Sequence, residues 1–510
     1  MPITKIPFSG PLNISVDEHA LDEKESPLLI NAYLDKRDNL VRRPGLTPFT
    51  NGHSTGSNTY MDGVYWWDEE QSLVAISGGN VYAKTSPDAP FVRQGSAASL
   101  PPGRPADFSV VDGISDPSSG RDPTLVITSG LGMVYLKESH TTYAGDGAGI
   151  IAPSASNPPT MSRNANSVSS LDNYLIFVET NTQSGHYVLG QSLEDPTTGI
   201  YGDFRLDSDI DNAIAVRQIL ETLYFFSRRH VELWQNDQQT PFSRIRGAVI
   251  DSGITERATL ANIGQAFMYA DKYQNIVILD GRSTENVSLP ISKAWKQSQN
   301  YDLISSATAY AMYLNHNAWY VINMPRLDRT FVYDLIMKRW FEMGTWGKDN
   351  RQHIFDGAYY AYARDWNLHC FASGSSDMMY FMDETSYRDT ISAGDVRPIV
   401  ATSRTTDLDH GTSKRKRINR LYVSLHRGLG NAPASSTEQA LLTIRWQDDG
   451  AIQWSGDKQI HLGPTGDGRH VVVIPGIGGV FRKRQWEWTI SSPYQLDLIS
   501  VEADIQEMTS

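Results

Sequence analysis

Few residues in this chain have the means to do chemistry, and they are scattered. The densest group of carboxylates is Asp207, Asp209 and Asp211, which reads either as a carbohydrate or cation site or as a solvated loop. The strongest basic run is Lys414, Arg415, Lys416 and Arg417 with Arg420 behind it. It suits a phosphate backbone or an acidic partner surface, or else a solvated strand start that discourages edge-to-edge pairing. Arg482-Lys483-Arg484 has the same two readings. Arg42 and Arg43 read as a functional basic pair or as the solvated flank of a turn. The twelve histidines are never paired at metal-ligand spacing. The one cysteine, Cys370, permits no intrachain disulfide, and its flanks Leu368-His369 and Phe371 read as a strand that buries the thiol. There is no phosphate-cradling glycine loop, no His-Glu-x-x-His and no Gly-x-Ser-x-Gly elbow. No cofactor, metal or catalytic set is expected, and the chain does not read as an enzyme.

The elements that must carry these residues are strands. From Asp211 to Gly281, short apolar runs such as Leu223-Tyr224-Phe225-Phe226 and Phe267-Met268-Tyr269 alternate with brief polar breaks. That pattern is strand, turn, strand, with no room for a helix. Units of this kind recur about 45 residues apart, the period of four-stranded propeller blades. The clearest internal echo is Ser-Gly before Val-Tyr, at Ser77-Gly78 before Val81-Tyr82 and at Ser129-Gly130 before Val134-Tyr135. The glycines mark a tight hairpin. The best helical candidate runs from Ser292 to Ile304.

An all-β chain is therefore expected: residues 1–58 as an arm with a hairpin that holds a polar turn at Asp35–Asn39 and is closed by a Pro44-Gly45 turn, 59–400 as a β-propeller of about six or seven blades, and 401–510 as a sandwich-like antiparallel β domain. Inserted loops are expected at about 86–105, 138–165 and 285–305. Asp448-Asp449-Gly450 with Trp454 resembles the Asp-box hairpin of sialidases, a folding signature that occurs once here rather than once per blade.

A length of 510 residues exceeds what one core usually supports, and 24 Tyr and 12 Trp argue against disorder. The net charge of −13 argues against a surface built to grip DNA, but not against a duct through which DNA passes. No run approaches the roughly 18 apolar residues of a membrane span. The first residues lack the basic head and apolar middle of a signal peptide, so a soluble protein made in a cytoplasm is expected.

In order along most of its length, the chain resembles the tail-nozzle proteins of short-tailed bacteriophages, also called packaged-DNA stabilisation proteins or tail accessory factors. The similarity is best at Asn31 through Leu46 with its Arg-Pro-Gly-Leu, and from Ser192 through Gly281. That second stretch holds Asp195-Pro196, Asp211-Asn212-Ala213-Ile214, His230 to Trp234, Pro241-Phe242 and Gly253. It is good again from Arg415 to Glu507, with Trp454, His461-Leu462-Gly463 and Ser492-Pro493.

The resemblance implies a structural part of the virion tail, assembled in the bacterial host cytoplasm. Six copies would ring the channel below the portal and its adaptor, prolong the path of the DNA and help retain the packaged genome. They would also meet tail fibres or tailspikes and, in some phages, a tail needle. The reading set against it is a carbohydrate-binding or carbohydrate-cleaving β-propeller, and a third is a cytoplasmic propeller scaffold.

Overall fold

The apolar runs fold as antiparallel strands, and the polar breaks between them fold as tight turns. Leu171 pairs with Tyr174 across Asp172 and Asn173, whose φ values are 50° and 63°. Leu314 pairs with Asn317 across Asn315 (48°) and His316 (68°). Both are two-residue hairpins with positive φ at each central position, where short polar side chains are tolerated best. The expected hairpin at Gly78-Gly79 has the same form, with φ of 56° and 76° between Ser77 and Asn80.

A computed structural model describes residues 3–52, 54–94, 100–112, 123–130, 132–137, 165–190, 201–206, 211–237, 242–296, 303–426, 441–462 and 471–508. Among them, seven small antiparallel sheets stand around one axis. Blade one is Met61–Trp67, Ser72–Ser77, Asn80–Lys84 and Val92–Gln94, and blade two is Asp107–Asp112, Pro123–Thr128 and Met133–Lys137. Blade three is Ala165–Leu171, Tyr174–Glu179, Ser184–Leu189 and Tyr201–Arg205; blade four is Ala213–Ile219, Thr222–Ser227, Val231–Gln235 and Ser243–Ile250. Blade five is Ala261–Ile263, Ala266–Ala270, Ile276–Asp280 and Ser283–Asn286; blade six is Thr308–Leu314, Asn317–Met324, Arg329–Asp334 and Arg339–Trp346. Blade seven takes Gly357–Ala363, Leu368–Ser373 and Met379–Asp383 from the end of the ring and its outer strand, Gly45–Pro48, from the beginning of the chain. The first strand of blade seven lies against the first strand of blade one, which closes the ring.

The apolar runs are continuous rather than alternating because each middle strand is covered on both faces by neighbouring blades. Leu125, Val126 and Ile127 of blade two are all fully buried. Leu125 and Ile127 pack with Val74 and Ile76 of blade one, while Val126 packs with Val168 and Phe177 of blade three. The seam between blades seven and one holds Cys370 with Met61, Leu73 and Ala75. Burying one such Leu, Ile or Phe contributes about 1.5–3 kcal/mol, so the ring is held by many small equal terms rather than by one core.

Residues 1–58 supply strands to three sheets. Ile3–Ile6 pairs with Asp497–Glu507, and so does the hairpin strand Leu40–Arg42, whose partner is Ala32–Leu34. These join Lys416–Leu425 and Val471–Phe481 in one sheet. Leu28–Ile30 pairs with Ala401–Arg404 and, in parallel, with blade six at Ile30 and Glu342. Through it blade six runs on into Ala401–Arg404, Arg484–Ile490, Leu441–Asp448 and Lys458–His461. The hairpin turns at the expected polar turn, Asp35–Asn39, where the Asp35 carboxylate accepts the amides of Arg37 and Asn39, whereas Pro44-Gly45 does not close it but leads into the strand Gly45–Pro48.

Within the expected loop at 86–105, Val92–Gln94 is the outer strand of blade one, and residues 95–99 lie outside the described residues. The expected helix at 292–304 is the four-residue Lys293–Lys296, anchored by the buried Trp295, with 297–302 outside the described residues. The expected insertion at 138–165 lies outside them up to residue 164.

Candidate functional site

The carboxylates do not converge. Asp207 and Asp209 lie outside the described residues. Asp211 is half-buried and accepts the Asn212 amide at 2.9 Å, at the start of the inner strand of blade four. Asp448 grips Arg484 through Nε at 2.6 Å and Nη2 at 2.9 Å, while Asp449 accepts the amides of Arg482 and Lys483 at 2.8 and 2.9 Å. Trp454 lies between the guanidinium groups of Arg404 and Arg445, at 5.0 and 4.9 Å, and both arginines share Glu487. Each partner is a neighbouring strand, so this hairpin works as a fastening. Among the described residues no group of three or more His, Cys, Asp and Glu could hold a metal ion. Cys370 is buried as expected, and burial pushes its thiol up to about 12, which leaves it unreactive.

The basic run is split by the pleat of its strand. Lys416 is fully buried, and its ammonium donates to the carbonyls of Asp409, Thr412 and Arg482 at 2.7, 2.5 and 2.6 Å. It is therefore withdrawn from the expected contact surface, because three backbone acceptors already hold its charge. Lys414, Arg415, Arg417 and Arg420 are exposed. A register shift between Ile418 and Arg420 lets Arg417 and Arg420, three positions apart, both face outward. Acidic and amide neighbours temper the patch: Lys414 pairs with Glu507 at 3.1 Å, and Arg417 donates to Gln506 at 2.9 Å.

Three other arginines depart from the expectation of solvated turns. Arg484 is fully buried, its guanidinium 3.9 Å from the centre of the Phe481 ring and 5.2 Å from those of Trp446 and Trp486. Arg43 is fully buried and donates to Asn31, Pro44 and Gly344 as well as to Asp389. Arg42 donates only to carbonyls: Tyr494 at 3.0 Å, Tyr387 at 3.2 Å, and those of Ser492 and Ile399. Burial, followed by the neighbouring Arg43, pulls Arg42 down to about 9. Together the pair pins the closing strand of blade seven to both sheets beyond the ring. No local spacing announces this, since Arg43 and Asp389 are 346 positions apart.

Sequence reasoning also missed the axis of the ring. Asp107 on the inner strand of blade two accepts Ser167 Oγ of blade three at 2.7 Å and two bonds from Arg217 of blade four, at 2.7 and 2.8 Å. Burial works to raise its carboxyl, but Arg217 and Arg257 outweigh it and hold the group below the usual carboxylate range. One carboxylate thus ties three blades. Beside it a cavity of about 150 Å³ is lined by inner-strand residues of several blades, including Gly63, Phe108, Arg217, Tyr310 and Tyr359. A lone Asp opening one β-run and an Arg inside another, two units later, were the only signals available.

The fold defines a seven-bladed β-propeller whose last blade is completed by the N-terminal segment, whose sixth blade runs on into further strands, and which carries a separate six-stranded sheet and buried ion pairs. The chain belongs to the family described as Bacteriophage P22 Gp10, beta-propeller, which matches residues 123–387, from the second strand of blade two to the end of the ring. It is a structural phage protein, as that family is. Among curated proteins no sequence matches.

Solved structures similar to it include the N-terminal domain of Nup159 (9% identity, 69% of this chain and 98% of that one, TM-score 0.38). An auxiliary nutrient binding protein from Bacteroides thetaiotaomicron is similar at 9% identity, over 75% of this chain and 76% of that one, with a TM-score of 0.35. Hsv2 of Kluyveromyces lactis is similar at 10% identity, over 62% and 97%, with a TM-score of 0.30. At these scores the likenesses carry no functional argument.

Proposed function

We propose that the chain is a subunit of the tail nozzle of a short-tailed phage and catalyses no reaction. Six copies form a ring below the portal adaptor, extend the DNA channel, help retain packaged DNA and dock fibres or spikes. The observation that carries this reading is the family match, which spans most of the propeller. A closed ring of blades offers two rims and an outer wall, and head-to-tail contacts between such walls close by rotation. The net charge of −13 suits a duct, because repulsion favours passage of DNA over adhesion. The exposed Lys414, Arg415, Arg417 and Arg420 are then a contact for an acidic neighbour in the tail or for passing phosphates.

Particles assembled without this chain test the reading. They are expected to hold packaged DNA that nuclease can reach and to lack fibres or spikes. Full, nuclease-resistant particles that carry them would contradict it.

A further inference from the structure

We propose that the axial cavity of the propeller binds one small tetrahedral oxyanion, of the size and charge of inorganic phosphate, through Arg257 and Tyr359.

At the axis the hydrogen-bonding groups do not all find partners. Asp107 is saturated by Arg217, by Ser167 Oγ and by the Val168 amide at 3.1 Å. Arg257 comes from the short 3-10 turn Arg257–Thr259 that leads into blade five, and it is only 6% exposed. It donates to the Pro105 carbonyl, and its Nη1 stays 3.7 Å from Asp107, too far for a hydrogen bond. Two guanidinium groups therefore share one carboxylate, and the second meets it as an ion pair at 3.7 Å without a hydrogen bond to it. Burial lowers Arg257 and raises Glu256, the acid beside it in the chain, and the charges of the two work against both shifts. Asp62, the next carboxyl, gives one oxygen to the Gly103 amide. Tyr359 lines the same cavity, and its hydroxyl has no hydrogen-bond partner among the described residues.

A planar guanidinium with unused N–H groups beside a free O–H is the donor set that recognises an oxyanion. The cavity volume of about 150 Å³ equals roughly five waters, room for one phosphate but not for a nucleotide. Arg217 keeps 21% of its side chain exposed, so the cavity has a way in.

The test is calorimetric titration of the full chain with inorganic phosphate at constant ionic strength, against chloride. One saturable site per chain is expected, lost in Arg257→Gln and weakened about fivefold in Tyr359→Phe. Arg282→Gln, exposed in the turn after Ile276–Asp280, should bind as the natural chain does. No saturation by about 10 mM phosphate, an order above the millimolar affinity of one buried ion contact, overturns the proposal. So does unchanged binding in both axial variants. If Arg257→Gln does not fold, Tyr359→Phe together with anomalous density from a selenate-soaked crystal decides: density at Arg257 supports the site, and density elsewhere or none overturns it.

Discussion

Arg43 and Asp389 meet in the interior as a two-bonded ion pair, Nη2 to Oδ2 at 2.6 Å and Nη1 to Oδ1 at 2.9 Å, with both side chains fully buried. The same carboxylate accepts the Leu46 amide at 3.0 Å, so it also holds the strand that closes blade seven. Removing one member of a buried pair leaves the other charge uncompensated. Arg43→Met should therefore destabilise the chain by about 3–5 kcal/mol, and combining it with Asp389→Leu should cost less than the two single changes together. Urea midpoints of the four proteins measure this. Additive losses would mean that the pair is not coupled.

Gly45 begins the closing strand, and a Cβ there would lie 2.0 Å from the carbonyl oxygen of Arg388. Backbone cannot yield as a flexible side chain does, so Gly45→Ala should push Gly45–Pro48 off Met379–Asp383. A loss of about 1–3 kcal/mol is expected, with faster proteolysis of the N-terminal segment. Unaltered digestion would show that the ring holds without its strap.

Burial raises the Asp62 carboxyl to about 6, against the amides of Gly103 and Gly79 that favour its charged form. The folded value lies above the unfolded one of 3.8, so folding favours the protonated acid. Its contribution is complete below about pH 4 and is lost as pH rises through about 6. Asp62→Asn should therefore stabilise the chain by about 1–3 kcal/mol between pH 7 and 8 and by little near pH 4. Melting temperatures across that range test it, and a constant offset between the two proteins would refute the assignment.

Lys416 and its outward neighbours should separate cleanly. Lys416→Ala strips three carbonyls of their donor and should cost roughly 2–4 kcal/mol. The double reversal Arg417→Glu with Arg420→Glu should stay within about 0.5 kcal/mol of the natural chain while lowering its incorporation into particles. Normal incorporation would remove the outer run from the contact surface.

Most of the ring was legible in the sequence, because each blade is local: its strands follow one another, and Asp, Asn and Gly mark the turns between them. Cys370 was legible for the same reason. The closing strand was not. Gly45–Pro48 pairs with residues more than 330 positions away, and neither partner carries a pattern that specifies the other. The buried arginines were misread because charge alone suggests water, whereas Arg42, Arg43 and Arg484 find carbonyls, carboxylates and rings brought from distant strands. Lys416 was within reach of pattern reasoning. It shares its inward face with Ile418, and the shift at Arg420 hands that face on to Leu421, Val423 and Leu425.

Symmetry-free cryo-electron microscopy of virions carrying this chain tests the account most directly. The expected density is six seven-bladed propellers around the tail axis, directly below the adaptor, with each seventh blade completed by its own N-terminal strand. A tail without this chain, or a ring of another number, would contradict it.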